Sequence, residues 1–338
     1  MKQIIISLAA AALMLMACKS NTNENMNTLT LTQEWDKTFP KSEKVNHQKV
    51  VFHNRYNITL VGDLYTPKDA TGKLPAIAVC GPYGAVKEQS SGKYAQRIAE
   101  SGFITLAFDP SFTGESGGEP RNLTSPEIFT EDFSAAVDYL SVQDFVDTDH
   151  IGILGICAFG SFALNAAQID TRIKATATST MWRLDNLMGD RKQMLEAWNA
   201  QRTEDYRKGT YAIQPALPDE PFPGWDRVDS VWGFYRTTER GYHPRSFNSV
   251  GGQTVTSNLP FANVTVMKDL ELIENAVMLV VGEKGMNRPW SEEAYSRLKG
   301  DNKFLNVVPG AKHEDLYDDY NHNVPWDAFV KFYSTYLK

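Results

Sequence analysis

Cysteine is scarce in this chain of 338 residues: Cys18, Cys80 and Cys157 are the whole supply. So few thiols exclude a disulfide framework, and a packed core must hold the fold together. No pair of cysteines has zinc-ligand spacing, and no H-E-x-x-H occurs. The sequence therefore calls for no metal and no cofactor. Basic blocks are absent too, and the formal net charge is −7. Nucleic acid is excluded as a partner, because neutralising phosphates takes clustered Lys and Arg. Past the N-terminal segment, no apolar run is long enough to span a bilayer. Histidine is limited to His47, His53, His150, His243, His313 and His322. A hydrophobic content of 42% is ample for a sizeable core.

What is present begins with "MKQIIISLAAAALMLMAC", one Lys followed by an apolar run that closes on a small residue and a Cys. This pattern reads as a secretory signal. Leu15, Met16 and Ala17 before Cys18 resemble a bacterial lipobox. That likeness implies removal of residues 1–17 and a lipid on Cys18. It implies a bacterial cell-envelope protein, anchored to a membrane and facing the periplasm or the outside. Residues 18–45 are polar, with "SNTNENMN", and read as a flexible tether. Residues 46–338 read as the folded domain.

Within that domain, strand and helix signals alternate. "KVVFHN" and "YNITLVGDLYTP" predict a hairpin. "KLPAIAVC", "FITLAFD", "HIGILG", "IKATATST", "AVMLVVGE" and "KFLNVVPG" predict buried strands. Helical spacing appears in "SGKYAQRIAESG", "SPEIFTEDFSAAVDYLSVQ", "AFGSFALNAAQ", "SEEAYSRLKG" and "PWDAFVKFYSTYL". Ser125 is placed to cap its helix, with Pro126 in the first turn. The alternation predicts an α/β fold, a doubly wound and mostly parallel sheet. From about 181 to 273 the pattern stops, and the chain becomes rich in aromatics, among them Trp182, Trp198, Tyr206, Trp225, Trp232, Phe234, Tyr235 and Tyr242. This stretch reads as a helical cap insertion.

Ligands of such sheets bind at the carboxyl ends of the strands. "GILGICAFGS" puts Cys157 at a strand-to-helix turn between Gly155 and Gly160. A nucleophile there is exposed by the turn, and the field of the helix N-terminus favours its thiolate. The other reading of Cys157 is a small apolar filler. The spacing is G-x-C-x-x-G, with bulky Phe159 where the five-residue elbow motif has a second Gly; the neighbouring Gly160 offers relief. His313 follows the last strand in "NVVPGAKHEDLYDD", in the order nucleophile, acid, His that this arrangement requires. His322 lies further from the strand end. For the acid, Gly285 occupies the usual Asp place in "GEKGMNRPW". Glu283 is then the nearest carboxylate, with Glu292, Glu293 and Asp315 as alternatives. The backbone N–H of Ala158 and one from Tyr83 or Gly84 in "GPYGAVKEQ" predict an oxyanion hole. Asp109 reads as a brace for its loop.

Four segments in strand order carry a resemblance: "GPYGAVKEQSSGKYAQRIAESGFITLAFDPSFTGESGGEPR", "GILGICAFGSFALNAAQ", "RGYHPRS" and "VVPGAKHEDLYDD". They resemble the α/β-hydrolase superfamily in its dienelactone-hydrolase-like branch, and within it a bacterial subgroup related to polyketide transferase-like hydrolases. The resemblance implies Cys157 as nucleophile and His313 as base.

The resulting expectation is a hydrolase that cleaves an ester, lactone or thioester of a small-molecule acyl substrate through an acyl-enzyme on Cys157. An acyltransferase on the same chemistry, or a non-catalytic binding protein with this fold, are the alternatives. The aromatic cap suggests an apolar or ring-bearing acyl group. Cys80 ends the strand expected beside that of Cys157. A Cys80–Cys157 disulfide would switch the enzyme off, against the simpler reading of Cys80 as apolar filling.

Overall fold

The computed structural model describes residue 31, residues 34–185 and residues 189–338. The expected signal, Cys18 and most of the expected tether lie outside the described residues. In chain order the strands and helices are β1 (Val45–His53), β2 (Thr59–Pro67), β3 (Leu74–Cys80), α1 (Ser90–Ala99), β4 (Ile104–Phe108), α2 (Pro126–Ser141), β5 (Val146–Ile156), α3 (Ala158–Ile169) and β6 (Ile173–Ser179). An insertion follows, with α4 (Arg191–Lys208), β7 (Ile213–Pro215), α5 (Val231–Arg236), α6 (Phe247–Val250), β8 (Gly252–Thr254) and α7 (Asn258–Phe261). The alternation then resumes with β9 (Ala276–Gly282), α8 (Arg288–Arg297), β10 (Lys303–Val308), α9 (Asp315–Asp318) and α10 (Trp326–Tyr336).

Eight strands form one sheet in the order β1-β2-β4-β3-β5-β6-β9-β10. β2 runs antiparallel to both of its neighbours, and every pair from β4 to β10 is parallel. This is the doubly wound, mostly parallel sheet that the alternation predicts. The central strands are continuous apolar runs because helices cover both faces. β9 is buried at every position, and β3 at all but its first. The outer hairpin instead shows mixed burial along β1. Ser125 caps α2 by accepting from the Ile128 N–H, with Pro126 in the first turn. Between α2 and α3, the rings of Phe129, Phe133, Phe159 and Phe162 pack edge to face or tilted, with centroids 5.1–6.3 Å apart. Such pairs add to the burial of their area.

The folded part begins earlier than the predicted end of the tether at residue 45. Thr38 N–H donates to the Glu88 carbonyl at 2.9 Å, and Gln96 Nε2 to the Pro40 carbonyl at 2.9 Å. Phe39 is buried, and Asp36 pairs with Arg245 at 2.7 Å. The polarity of this stretch hid the docking, because its anchors are a few isolated side chains rather than a periodic run.

The insertion ties itself to the loop after β3. Ser246 Oγ donates to the Gly84 carbonyl at 2.7 Å, and Arg245 pairs with the buried Glu88 at 2.8 Å. Trp232, Phe234 and Tyr235 are buried, whereas Tyr206 is exposed. Among the described residues, no helix is long and apolar enough to cross a membrane, and no group of three or more His, Cys, Asp or Glu is placed to hold a metal ion.

Candidate active site

The turn from β5 into α3 puts Cys157 in a conformation that few side chains adopt, φ 56° and ψ −128°. Such strain persists only where the surroundings over-determine it. Here the Cys157 N–H donates to the Ser179 carbonyl at 2.9 Å, while its own carbonyl accepts from Gly160 and Trp182 at 2.9 and 3.0 Å. The approach is so close that a Cβ on Gly155 would stand 2.1 Å from the Phe159 carbonyl oxygen. Phe159 fits because its ring turns into the α2–α3 aromatic cluster, and because Gly81 faces its Cβ. A Cβ on Gly81 would lie 2.9 Å from that atom. Gly160 makes room in a different direction, against Met181 at 3.0 Å.

The side chain of Cys157 receives three polar neighbours: the Tyr317 hydroxyl and the backbone N–H groups of Ala158 and Tyr83. Two backbone donors thus converge on the sulfur, at the mouth of the turn. Of the two loop residues, Tyr83 is the one whose N–H reaches Cys157. Gly84 supplies the turn itself: at φ +76° it faces the Asn248 carboxamide so closely that a Cβ would sit 2.3 Å from Oδ1. The Tyr83 carbonyl is held by Asn248 Nδ2 at 2.7 Å and by the Tyr235 hydroxyl at 3.4 Å. Below this loop Asp109 accepts from the Lys87 N–H at 2.7 Å and from the Glu115 N–H at 2.9 Å, the expected brace.

His313 is buried after β10, against the Trp182 ring at 5.3 Å. Gly282 permits this close approach, since a Cβ there would meet the Ala311 oxygen at 2.4 Å. Asp315 Oδ2 accepts from the Lys312 N–H at 2.7 Å and shapes the loop rather than the imidazole. Nδ1 of His313 lies 2.9 Å from Asn287 Oδ1 and 2.7 Å from Thr180 Oγ1. Asn287 Nδ2 donates to the Met181 carbonyl at 2.9 Å and to Thr180 Oγ1 at 3.2 Å. The carboxamide is therefore oriented with its oxygen toward the imidazole, and Nδ1 carries the proton. Nε2 is left as the acceptor, 2.9 Å from the Tyr317 hydroxyl.

The expected acid is displaced from this position. Glu283 accepts from the Gly310 N–H at 2.8 Å and faces the loop after β10, away from His313. The cause is a tight turn directly after β9, with the Gly285 N–H bonded to the Gly282 carbonyl. That turn directs Glu283 sideways and brings Asn287, at the start of α8, under the imidazole. Glu292 pairs with Arg288 and Glu293 with Arg183. Asn287, Thr180 and Tyr317 were not singled out from sequence. Asn287 and Tyr317 stand inside the quoted segments "GEKGMNRPW" and "HEDLYDD", and Thr180 closes "IKATATST".

Electrostatics corrects a second expectation. Burial pushes the Cys157 thiol up, against the pull of Tyr317 and the N–H groups of Ala158 and Tyr83. Burial also pushes His313 down to about 3. The resting pair is a thiol and a neutral imidazole, not a thiolate favoured by the helix field, because desolvation penalises both charges. Cys80 and Cys157 are both free. Cys80 Sγ donates to the Phe108 carbonyl at 3.4 Å, in the direction of β4, so it serves as buried filling.

These groups open on one cavity of about 760 Å³, and residues of the insertion such as Leu217, Trp225, Val231 and Tyr235 form much of its wall. Trp182 and Leu184 add apolar surface, while Lys284 and Lys312 also line it. Of the predicted cap aromatics, Trp182, Trp225 and Tyr235 reach the cavity.

A strained Cys between strand and helix, a buried imidazole after the last strand and this strand order define the α/β-hydrolase fold, and the chain belongs to one family with two uncharacterized bacterial proteins. The family model of the X-Pro dipeptidyl-peptidase (S15 family) matches residues 57–213. The uncharacterized protein PA2218 of Pseudomonas aeruginosa is 48% identical over 319 residues, covering 90% of this chain and 85% of its own. Its crystal structure superposes with a TM-score of 0.86 at 47% identity, over 93% of this chain and all of that one. The uncharacterized protein YcjY of Escherichia coli is 35% identical, over 80% of this chain and 93% of its own. The thiohydrolase aneE of Aspergillus aculeatus is 26% identical, over 83% and 88%. The family supports ester and thioester chemistry for the site.

Proposed function

We propose that this protein hydrolyses a carboxylic ester or thioester through Cys157. The observation that carries the reading is the convergence on one cavity of a strained Cys157, two backbone N–H donors and a neutral His313 whose tautomer is set by Asn287. His313 is the general base. The thiol loses its proton as the sulfur attacks the acyl carbon, so no preformed thiolate is needed. The Ala158 and Tyr83 N–H groups receive the oxyanion. Water, deprotonated by the same imidazole, then releases the acid. Asn287 and Thr180 take the orienting place that a carboxylate holds in a Ser-His-Asp triad. The name thiohydrolase, borne by the relative aneE, agrees with a thioester as substrate. A cavity of about 760 Å³ walled by Trp182, Leu217, Trp225 and Tyr235 suits an apolar or ring-bearing acyl group, a size usual for ligand pockets.

The test is hydrolysis of a panel of 4-nitrophenyl esters and acyl thioesters by the full chain in detergent, beside Cys157→Ala and His313→Gln. Turnover should vanish in both variants. Equal background rates in all three proteins would favour a binding protein. We further propose that Cys18 carries a lipid and holds the domain at the cell envelope. Labelling with a radioactive fatty acid should depend on Cys18, and labelling that survives Cys18→Ser would refute it.

A further inference from the structure

The hydroxyl of Tyr317 is bonded to His313 and lines the same cavity as Cys157. Tyr317 lies one turn past His313, and its N–H is bonded to the Glu314 carbonyl at 3.1 Å. Its ring is locked edge-on between His313, at 5.2 Å, and Phe234, at 5.1 Å. The next residue, Asp318, is clamped by Arg240 at 2.6 Å. From this fixed position the hydroxyl reaches His313 Nε2 at 2.9 Å, and it borders the same cavity as Cys157, whose thiol it helps to hold down.

The tautomer decides the direction. Asn287 Oδ1 requires the imidazole proton on Nδ1, so Nε2 can only accept. The single hydrogen of Tyr317 then points to Nε2, which leaves its lone pairs free to accept from the Cys157 thiol. We propose that Tyr317 is a catalytic residue, a proton relay between Cys157 and His313; this rests on the hydrolase reading of the site.

In acylation the Sγ–H bond breaks and the proton passes to Oη, while the Tyr317 proton moves to Nε2. The sulfur electron pair attacks the carbonyl carbon, and the C=O π pair moves onto oxygen. Collapse expels the alcohol or thiol, which receives a proton from Oη as Nε2 returns one to it. Water follows the same route: it loses a proton through Oη to Nε2, attacks the Cys157 thioester, and collapse returns the proton to Sγ. Tyr317 ends each half-reaction unchanged, and no co-reactant other than water is consumed.

Tyr317→Phe keeps the ring and removes only the relay. Three measurements apply: kcat/KM on a 4-nitrophenyl ester, the rate of Cys157 alkylation by iodoacetamide, and the proton inventory in H₂O–D₂O mixtures. The relay predicts a fall in kcat/KM of about a hundredfold, the scale of lost general acid–base catalysis. Alkylation should slow as well, and a bowed inventory, with two protons in flight, should become linear. Unchanged or faster alkylation and turnover would overturn the relay, because the imidazole would then take the proton directly. If no ester or thioester is turned over by the native chain but alkylation slows in Tyr317→Phe, the hydrolase reading fails and the relay stands. Should Tyr317→Phe not fold, 3-fluorotyrosine placed at 317 retains shape and hydroxyl while changing its acidity. A changed alkylation rate supports the relay, and an identical rate overturns it.

Discussion

Asn287 Oδ1 lies 2.9 Å from Nδ1 of His313, at the place where a carboxylate is usual in this superfamily. A neutral carboxamide suits a neutral imidazole. It fixes the ring and the tautomer without stabilising an imidazolium in the resting site, and desolvation already disfavours that ion. Asn287→Ala should therefore cost at least about tenfold in kcat/KM, or roughly 1.4 kcal/mol of transition-state stabilisation. Glu283→Gln should leave kcat/KM within about twofold, since no reacting group touches Glu283. Steady-state kinetics of the two variants on one ester decides the matter. A large loss in Glu283→Gln with none in Asn287→Ala would restore the carboxylate to the site.

The burial of His313 makes a prediction about stability. Its pKa falls from 6.5 to about 3 on folding. Between those values the unfolded chain binds a proton that the folded chain refuses. The stability linked to this group is complete above pH 6.5 and drains as the pH falls toward 3. In His313→Gln the urea midpoint should decline less steeply from about pH 7 to about pH 4 than in the native chain. Parallel declines would mean that the imidazole is solvated or charged in the folded protein.

Cys157 should behave as a buried thiol. Desolvation pushes it above its ordinary value of 9.0, so iodoacetamide alkylation should keep accelerating past that pH instead of reaching a plateau near neutrality. A plateau near pH 7 would reveal a preformed thiolate. The pH profile of alkylation, read on the Cys157 peptide, makes the distinction.

The elbow depends on Gly155. A Cβ there would meet the Phe159 carbonyl at 2.1 Å, and backbone cannot yield as a flexible side chain does. Gly155→Ala should destabilise the domain by about 1–3 kcal/mol, the usual scale of overpacking, and slow Cys157 alkylation. Thermal unfolding checks the first effect and mass spectrometry the second. An unaltered melting temperature with normal alkylation would show that the turn is not constrained there.

The sheet was legible because burial on both faces leaves long apolar runs such as "AVMLVVG", and because Gly155, Cys157 and His313 stand at the ends of such runs. The partners of His313 were not. Thr180 and Asn287 are separated from it by 133 and 26 residues, and only the turns after β6 and β9 bring all three together. Nearness in sequence to the end of β9 favoured Glu283, yet the turn closed by Gly285 brings Asn287, four residues past Glu283, to face the imidazole. The thiol and imidazole were read with their solvent-exposed tendencies. The enclosure that reverses those tendencies comes from Trp182 and Tyr235, which are remote in the chain, and from Tyr317, one turn past His313. Asp36 and Phe39 were hidden for another reason, as isolated anchors in a polar stretch.

The central claim is covalent catalysis by Cys157, and trapping the acyl-enzyme tests it most directly. The full chain is mixed with a slow 4-nitrophenyl ester, quenched in acid within the first turnover and analysed by intact mass and peptide mapping. The account predicts one acyl group per chain, on the peptide that carries Cys157, and none in Cys157→Ala. An acyl group on another residue, or turnover that persists in Cys157→Ala, would contradict it.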